Sequence, residues 1–372
     1  MKLHRSVIDS SEGLDDLRDE WQRLLLAVPT ATPFHSWAWC RAFWRHLAPP
    51  GCQLQIFIVR DNSGELRGVA PMFIRPGSIL RPSLLRSLAT EVGDYGGFLV
   101  SPTESDPVSG ELWRCIDEHS PRWQSAEISK LSLETPKCPS LTLRWRRAES
   151  EPCYSFELPN DPDAYMRQLG RKARENLRRR RRRLEREHDA EFRSVRTVDE
   201  LARILSQFIQ LQKERFATKY YRGFFKDRQR GEFFGEVAAA FLEYGWLDLH
   251  ILEIDGELAA AQFGIELHGC RFNYQIAMDA KYARHSPGML LMLSSINGAI
   301  ARGAHRYDLL TGGGEYKRTL QARPQMRYDL TWTRKPLVTF LRRRASLARN
   351  RLESVTWLRR LVFTGLQWRR SD

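Results

Sequence analysis

Apolar residues recur along this chain at helical and at strand spacings. Spacings of three and four residues predict four amphipathic helices; these cover 12–28, the segment after Ser36, 198–216 and 230–244. Pairs of short apolar runs on either side of 62–64 and of 255–256 predict two β-hairpins. Further strands are predicted near 84–100, 126–133, 141–146, 191–197, 271–279, 305–311 and 325–334.

The predicted elements repeat in the two halves of the chain. Both hairpin turns contain Gly-Glu-Leu, at 64–66 and at 256–258, and in both halves the order is strand, helix, helix, hairpin. This repeat predicts a duplicated α+β (mixed α/β) fold, in which each unit is a mixed twisted sheet flanked by helices. We expect domains over 1–150 and 151–335, followed by a tail over 336–372.

Positive charge is concentrated in two segments. The net charge is +14, and 171–183 carries nine basic residues against one glutamate, while 336–372 carries nine arginines against one glutamate and one aspartate. Such segments indicate anionic partners, namely lipid headgroups, nucleic acid or phosphorylated ligands. The alternative is a solvated helical face. The first segment lies in a predicted basic helix over 169–187, whose narrow apolar stripe would dock on the protein.

The tail combines its arginines with an apolar stripe and two tryptophans, Trp357 and Trp368. This pattern predicts a basic amphipathic helix that lies on an anionic membrane surface. The chain has no run of 18 uncharged apolar residues and no signal-like start. We therefore expect a cytoplasmic protein, peripheral on the inner membrane.

Cysteine and histidine spacings do not indicate a metal site. The six cysteines include no C-x-x-C pair, and the nine histidines include no H-E-x-x-H. We expect reduced thiols and no metal.

The stretch "ARHSPGMLLM" (283–292) places a small-residue turn directly before a predicted helix. Unpaired N–H groups and the positive end of the helix dipole make such a turn a candidate phosphate cradle, although an ordinary loop-to-helix junction has the same pattern. The candidate cofactor-binding residues are Arg284, His285, Ser286, Pro287, Gly288 and Met289.

Four motifs resemble a known family: "PFHSWAWCRAFW", "RKARENLRRRRRRLERE", "FNYQIAMDAKYARHSPGMLLM" and "YDLLTGGGEYKR". The chain resembles the GNAT acyltransferases over about 25–325, in their tandem FemABX-like branch, and is most similar to the CelD/BcsL-type acetyltransferases of exopolysaccharide biosynthesis. This resemblance implies two tandem GNAT-like domains, the first on the acceptor side and the second holding the acyl donor. It also implies that the turn at 286–288 binds the pyrophosphate of acetyl-CoA, although the usual glycine-rich loop is degenerate here.

Catalytic candidates lie in the second half. Tyr274 lies on the predicted strand whose backbone N–H groups bind the donor carbonyl in the family. Asp308 ends a strand, and is a candidate base, an orienter of a base, or a cap of the following glycine turn. The resemblance implies that Tyr316 protonates the leaving group and that Lys317 holds a phosphate or the oxyanion. Without the resemblance, both would be ordinary amphipathic surface residues.

Acceptor-binding candidates are spread over both halves. Asp94 and Tyr95 lie in a glycine-flanked loop of the first half, where a plain turn is the alternative. Trp39 matches a family tryptophan that can stack on a sugar. Gln275 adjoins Tyr274, and strand alternation predicts that one of these two faces the other side of the sheet.

Three functions are consistent with these features. The first is an acetyl-CoA-dependent N-acetyltransferase that acts on an amino sugar or other amine, lipid-linked or nascent, during envelope biosynthesis. The second is a FemX-like transferase with an aminoacyl-tRNA donor, whose RNA backbone the basic segments would bind. The third is a non-catalytic regulator that binds an anion such as a cyclic dinucleotide. No DNA partner is expected.

Overall fold

The computed structural model describes residues 2–78, 81–132, 145–217 and 223–334, so the predicted tail at 336–372 lies outside the described residues. The strands are β1 (His4–Ile8), β2 (Gln53–Arg60), β3 (Leu66–Arg75), β4 (Leu84–Ser87), β5 (Leu99–Val100), β6 (Ser125–Leu131), β7 (Arg146–Glu157), β8 (Ala190–Ser194), β9 (Leu247–Ile254), β10 (Glu257–Leu267), β11 (Cys270–Met278), β12 (Arg306–Asp308) and β13 (Arg323–Thr333). The α-helices are α1 (Ser11–Asp16), α2 (Arg18–Ala27), α3 (Trp37–His46), α4 (Ser105–Glu118), α5 (Pro162–Gln168), α6 (Arg171–Glu187), α7 (Val198–Ala217), α8 (Arg228–Glu243), α9 (Pro287–Ala301) and α10 (Glu315–Thr319).

A single mixed sheet runs through the described chain. Its strand order is β1-β2-β3-β4-β6-β13-β7-β12-β11-β10-β9-β8, with β5 paired to β3. The pairs β4–β6 and β11–β12 are parallel, and the other neighbours are antiparallel. Each parallel pair is connected through a helix, α4 in the first half and α9 in the second, because parallel strands need a crossover.

The strand order confirms the repeat that the hairpins predict. The series β1-β2-β3-β4-β6 and β8-β9-β10-β11-β12 have the same order and directions, and they meet at the centre of the sheet. There the halves exchange their last strands: β7, which follows β6, pairs with β12, and β13, which follows β12, pairs with β6. The boundary expected at residue 150 falls within β7, so the two GNAT-like halves share a continuous sheet.

Helices cover both faces of this sheet. The first face packs against α1, α2, α3, α7 and α8, whose apolar residues form a core that is continuous across the two halves. Trp39 of α3 contacts Phe233 and Phe241 of α8 within this core. On the opposite face, α4 covers the first half and α5, α6 and α9 cover the second.

Most of the predicted helices and both predicted hairpins are confirmed, and one predicted helix is divided into two. The helix expected over 12–28 is split at Leu17 into α1 and α2. The second hairpin turns at Asp255 (φ 53°) and Gly256 (φ 79°), both in the left-handed region that tight hairpin turns require. The predicted stripe of α6 is buried at Leu177 and Leu184, while its arginines face outward.

Candidate active site

A cleft opens where β11 and β12 separate. The two strands pair over three residues only, from Cys270–Arg306 to Phe272–Asp308. Beyond this point β11 continues to Met278, while the chain after Asp308 turns away. The free edge of β11 lines a cleft of about 290 Å³. The other walls are the first-half loop 91–94 and Lys130, helix α7 with Phe224, and 309–316.

A β-bulge at Tyr274 shapes the wall that β11 supplies. On β10, Phe263 pairs with Gln275 and Gly264 pairs with Asn273, so Tyr274 is the extra residue of the bulge. The Tyr274 ring packs 6.2 Å from the ring of Phe234 in α8. Gln275 also points toward this helical layer, as its Oε1 lies 3.4 Å from Nε2 of Gln212 in α7. The expectation that Tyr274 and Gln275 face opposite sides is therefore wrong, because the bulge interrupts the alternation.

The bulge also determines which backbone groups face the cleft. Gln212 donates through Nε2 to the carbonyl of Ile276 at 2.6 Å, so the backbone of Ile276 points away from β10. In an extended strand the N–H of a residue points to the same side as its C=O, so the Ile276 N–H also lies on the free edge. The amide oxygen of Gln212 is buried and accepts no hydrogen bond from the described part of the chain. Sequence analysis identified neither Gln212 nor Ile276.

The hydroxyl of Tyr316 is the free proton donor among the expected catalytic residues. Tyr316 lies in α10 and lines the cleft. Within the described part of the chain, no hydrogen bond occupies its hydroxyl. Burial raises its pKa above the usual value, and Arg215 opposes that shift. A protonated phenol is therefore maintained beside the cleft over the neutral range.

Tyr274 does not offer such a group. Its hydroxyl donates to the carbonyl of Val92 in the first half, and its ring lies against Trp39 and Phe224. The phenol therefore holds the loop 91–94 on the second half. The side chain thus has a structural role, and the expectation that concerns the backbone N–H groups of this strand stays a prediction at Tyr274.

Lys317 orders the loop beside the cleft. Its Nζ donates to the carbonyls of Leu309, Leu310 and Thr311 at 3.1, 2.8 and 2.8 Å. An ammonium has three N–H groups, so none remains for a phosphate or an oxyanion. Burial lowers the pKa of this lysine. The expectation that Lys317 binds the donor is corrected accordingly, because its side chain is fully used by the chain itself.

Asp308 lies behind the cleft wall rather than in it. Its side chain is fully buried and accepts hydrogen bonds from the hydroxyl of Tyr95, from Arg306 at 3.2 Å and from the N–H of Leu310 at 2.8 Å. Burial raises the pKa of the carboxyl, while the bonds from Tyr95 and Leu310 act against that shift. The carboxyl caps the segment that becomes the cleft wall, so it can position that wall but does not touch a substrate.

Asp94 brings an acidic group from the first half to the cleft. Its Oδ1 accepts a hydrogen bond from the hydroxyl of Thr311 at 2.8 Å and lies 3.6 Å from Nζ of Lys130. Lys130 is itself held by the carbonyl of Gly93 at 2.6 Å. The expected placement of Asp94 at the junction of the halves is thus observed, and its carboxylate lines the same cleft as Tyr316.

Tyr95 and Trp39 do not line the cleft. Trp39 is fully buried in the shared core, so it cannot stack on a sugar and its expected substrate contact is corrected. Tyr95 is 7% exposed and lines a different cavity, between the halves, with Arg327. The adjacency of Asp94 and Tyr95 in sequence did not reveal that their side chains serve different cavities.

The turn before α9 lies next to the cleft, against Ile276. A Cβ at Gly288 would lie 2.6 Å from Cε of Met278 and 3.3 Å from Cδ1 of Ile276, so the absence of a side chain lets α9 approach β11. The carbonyl of Ser286 accepts the N–H groups of Met289 and Leu290, at 3.0 and 3.3 Å. Pro287, the first residue of α9, has no N–H, and the N–H groups of Met289 and Leu290 already bond to Ser286. In the described structure, the N–H of Gly288 is therefore the donor in the first turn that remains for an anion.

Arg284 adds the charge that an anion at this turn would need. Its guanidinium is largely exposed, whereas His285 is only 1% exposed and Pro287 is buried. The turn therefore offers one backbone N–H and one guanidinium, which fits a phosphate group but supplies fewer backbone donors than the resemblance implies. Of the six residues expected here, Gly288 and Arg284 carry groups that can bind an anion, and the expected contact with a donor stays a prediction.

Three side chains of kinds that can bind a metal ion lie close together beside this turn. Ligand atoms of Glu187, His188 and His285 are within 4.8 Å of one another. Arg284 donates to Nε2 of His285 at 2.9 Å, and Arg183 pairs with Glu187 at 3.2 Å. These guanidinium groups occupy the ligand atoms and repel a cation. The expectation of a metal-free protein stays a prediction.

Comparisons with known proteins agree with this geometry. Residues 171–318 match the family model described as Acetyltransferase (GNAT) domain, a range that contains the turn, β11, β12 and Tyr316. No curated protein sequence matches the chain at a significant level. None of the described helices has the length and apolar composition needed to cross a bilayer.

Three solved structures share the fold. FemX has a TM-score of 0.64 at 10% identity, over 91% of this chain and 99% of that one. The C-terminal domain of a protein assigned as a lysylphosphatidylglycerol synthetase, from Agrobacterium fabrum, has a TM-score of 0.56 at 11% identity, over 88% and 95%. L-PGS from Bacillus licheniformis has a TM-score of 0.51 at 11% identity, over 77% and 86%. The chain thus has a GNAT-type acyltransferase fold built from two halves.

Proposed function

We propose that this protein is an N-acyltransferase that transfers an acetyl group from acetyl-CoA to the amine of an amino sugar. The observation that carries the proposal is the pairing of two groups in the cleft: the Ile276 N–H on the free edge of β11 and the unoccupied Tyr316 hydroxyl. A hydrogen-bond donor for the carbonyl and a proton donor for the leaving group are what acyl transfer requires.

The acceptor amine attacks the thioester carbonyl, a C–N bond forms, and the C–S bond then breaks. The Ile276 N–H donates to the carbonyl oxygen as it gains negative charge. Tyr316 gives its proton to the departing thiolate and recovers one from solvent. Asp94 binds the acceptor ammonium through charge. The ammonium loses one proton to water before attack, and the nitrogen loses a second proton to solvent when the tetrahedral intermediate collapses, which balances the proton that Tyr316 takes up. Gly288 and Arg284 bind a phosphate of the donor.

We further propose, from the CelD/BcsL-type resemblance, that the acceptor belongs to bacterial exopolysaccharide or cell-envelope synthesis. The acceptor would be a lipid-linked or nascent saccharide, reached from the cytoplasmic face of an anionic membrane. Exposed arginines of α6 such as Arg178 and Arg182 have no carboxylate partner among the described residues, which supports an anionic surface as partner.

The same arginines support a second candidate, transfer from an aminoacyl-tRNA. FemX shares the fold, and an unpaired row of arginines can follow a phosphodiester backbone. This candidate requires that tRNA binds through α6 and that CoA does not bind in the cleft. The two candidates therefore differ in donor while using the same Tyr316 and Ile276.

The deciding experiment is calorimetry of the full chain with acetyl-CoA, CoA and uncharged tRNA, combined with a thiol-release assay on a panel of amino sugars. We expect CoA to bind with a dissociation constant below about 1 mM and thiol to appear only when an amine is present. Arg284→Gln should weaken CoA binding, while Arg228→Gln, on the exposed face of α8, should not. Binding of tRNA alone would select the second candidate. Binding of neither would contradict both transferase proposals.

A further inference from the structure

A second cavity lies at the seam of the two halves and shares no lining residue with the cleft. Its volume is about 550 Å³, which is within the usual range for small-molecule sites. We call it the seam cavity and define it by His35, Tyr95, Cys270, Arg306, Gln325 and Arg327. Its walls come from the first-half loop, from β11 and β12, and from the exchanged strand β13.

Two arginines in this cavity have unused donors. Arg327 is 4% exposed, and its Nε has no hydrogen-bond partner among the residues that the structure describes. Among the described residues, its other nitrogens make long contacts of 3.3 Å to Oε1 of Gln325 and 3.5 Å to the carbonyl of Met326, and the guanidinium also interacts with the thiol of Cys153. The Nε of Arg306 is likewise buried without a partner. Leaving a buried charged donor unpaired is costly, so such groups indicate a missing anion.

The cavity contains little negative charge to balance them. Arg306 contacts Oδ2 of Asp308 at 3.2 Å and Oε1 of Gln325 at 2.9 Å. Asp308 lies behind the wall, and no carboxylate is among the described residues that line the cavity. Arg327 lies over the ring of Tyr95, 4.1 Å from its centroid, a contact that orients the guanidinium without neutralising it.

We propose that the seam cavity binds a small phosphate- or carboxylate-bearing molecule through Arg306 and Arg327. The site is distinct from the donor turn at Gly288. It is connected to the cleft, because Tyr95 donates to Asp308 and Asp308 holds the N–H of Leu310, which lines the cleft. An anion that draws Arg306 away from Asp308 would therefore act on the cleft wall.

The experiment is calorimetry of the full chain with inorganic pyrophosphate and with citrate, which separate phosphate from carboxylate recognition. We expect one of them to bind with a dissociation constant below about 1 mM. Arg327→Gln should weaken this binding at least tenfold. Gln325→Glu places a carboxylate against both guanidinium groups and keeps the side-chain shape, so it should weaken anion binding without lowering the melting temperature.

Arg228→Gln is the matched control, because it removes an exposed guanidinium from α8 and leaves both the seam and the α9 turn unchanged. It should retain the binding that Arg327→Gln loses. Unchanged binding in both Arg327→Gln and Gln325→Glu, loss in Arg284→Gln alone, or no binding of either anion to the wild type would overturn the proposal. None of these outcomes decides whether acetyl-CoA is the donor, since that is measured by CoA binding and thiol release.

Discussion

Tyr95 of the first half donates a hydrogen bond to the buried carboxyl of Asp308 in the second half, across 213 residues of sequence. Both side chains are enclosed, and the other carboxyl oxygen accepts the N–H of Leu310. This contact ties the loop that carries Asp94 to the segment that forms the opposite wall of the cleft. The halves are therefore joined next to the candidate chemistry as well as through the exchanged strands.

Tyr95→Phe should destabilise the protein by about 1–3 kcal/mol, because Asp308 would lose a buried hydrogen-bond donor. Urea unfolding of both proteins measures the difference. Tyr165→Phe is the matched control, since the Tyr165 hydroxyl is buried with no hydrogen-bond partner in the described chain and its removal should cost little or nothing. Equal losses for the two variants would show that the Asp308 contact adds no stability.

Lys317→Met should lower the free energy of unfolding by at least about 2 kcal/mol, because three carbonyls would lose their shared donor. If Lys317 instead bound a donor phosphate, the change would weaken CoA binding and leave stability nearly unchanged. Chemical unfolding and calorimetry with CoA, on the same samples, separate these outcomes. Lys226→Met, at an exposed position, controls for the loss of a lysine charge.

Local pattern was sufficient to predict much of the fold. The helical spacing of α7 and the turn at Asp255 and Gly256 depend on residues that are neighbours in sequence, and both are observed. The repeat predicted from the two hairpins is seen in the strand order. In contrast, the exchange of β7 and β13 was not predicted, because it concerns which half a strand joins, and the pattern of a strand does not encode its partner.

The site was predicted less well, for physical reasons. The motif "GGGEYK" led to Tyr316 and Lys317, but only the structure distinguishes a free hydroxyl from an ammonium enclosed by three carbonyls. The resemblance implied a backbone donor on this strand, but the bulge at Tyr274 has no signal in a single sequence, so Ile276 could not be identified as the residue on the free edge. Gln212 is one polar residue on an apolar helix face, and its role depends on a strand 64 residues away.

Stability should fall as the pH falls from 6.5 toward 4, partly because of His250. Burial lowers the pKa of this histidine to about 4, although Asp248 opposes the shift. Between those values the unfolded chain binds a proton that the folded chain does not, so lower pH favours unfolding, by up to about 3 kcal/mol at pH 4. His250→Gln should flatten this part of the pH profile in urea unfolding. His4→Gln, at an exposed position, should leave the profile unchanged.

Tyr316→Phe should reduce kcat by about 100-fold and leave CoA affinity unchanged, because it removes a proton donor and no binding contact. Steady-state thiol release and calorimetry measure the two quantities. Tyr244→Phe, at the end of α8 and away from the cleft, is the control. Wild-type kcat in Tyr316→Phe, with an acceptor that supports turnover, would remove Tyr316 from the mechanism.

The exposed row of α6 should contribute to binding of an anionic surface. Arg178 and Arg182 are one helical turn apart, exposed, and without a carboxylate partner in the described chain. Because a basic residue near an anionic membrane contributes about 1 kcal/mol, Arg178→Gln combined with Arg182→Gln should weaken binding to phosphatidylglycerol vesicles roughly 30-fold at low ionic strength. Added salt should reduce the binding of the wild type, because the attraction is screened.

The matched control removes the same charge elsewhere. Arg114 and Arg228 are exposed on α4 and α8, so Arg114→Gln combined with Arg228→Gln lowers the net charge equally without touching α6. Vesicle flotation of the wild type and the two double variants shows whether binding depends on the position of the arginines or on the net charge of the protein. Equal weakening in both double variants would mean that net charge alone drives binding. If the α6 variant instead loses tRNA binding and keeps vesicle binding, the row recognises a phosphodiester backbone and the membrane assignment fails.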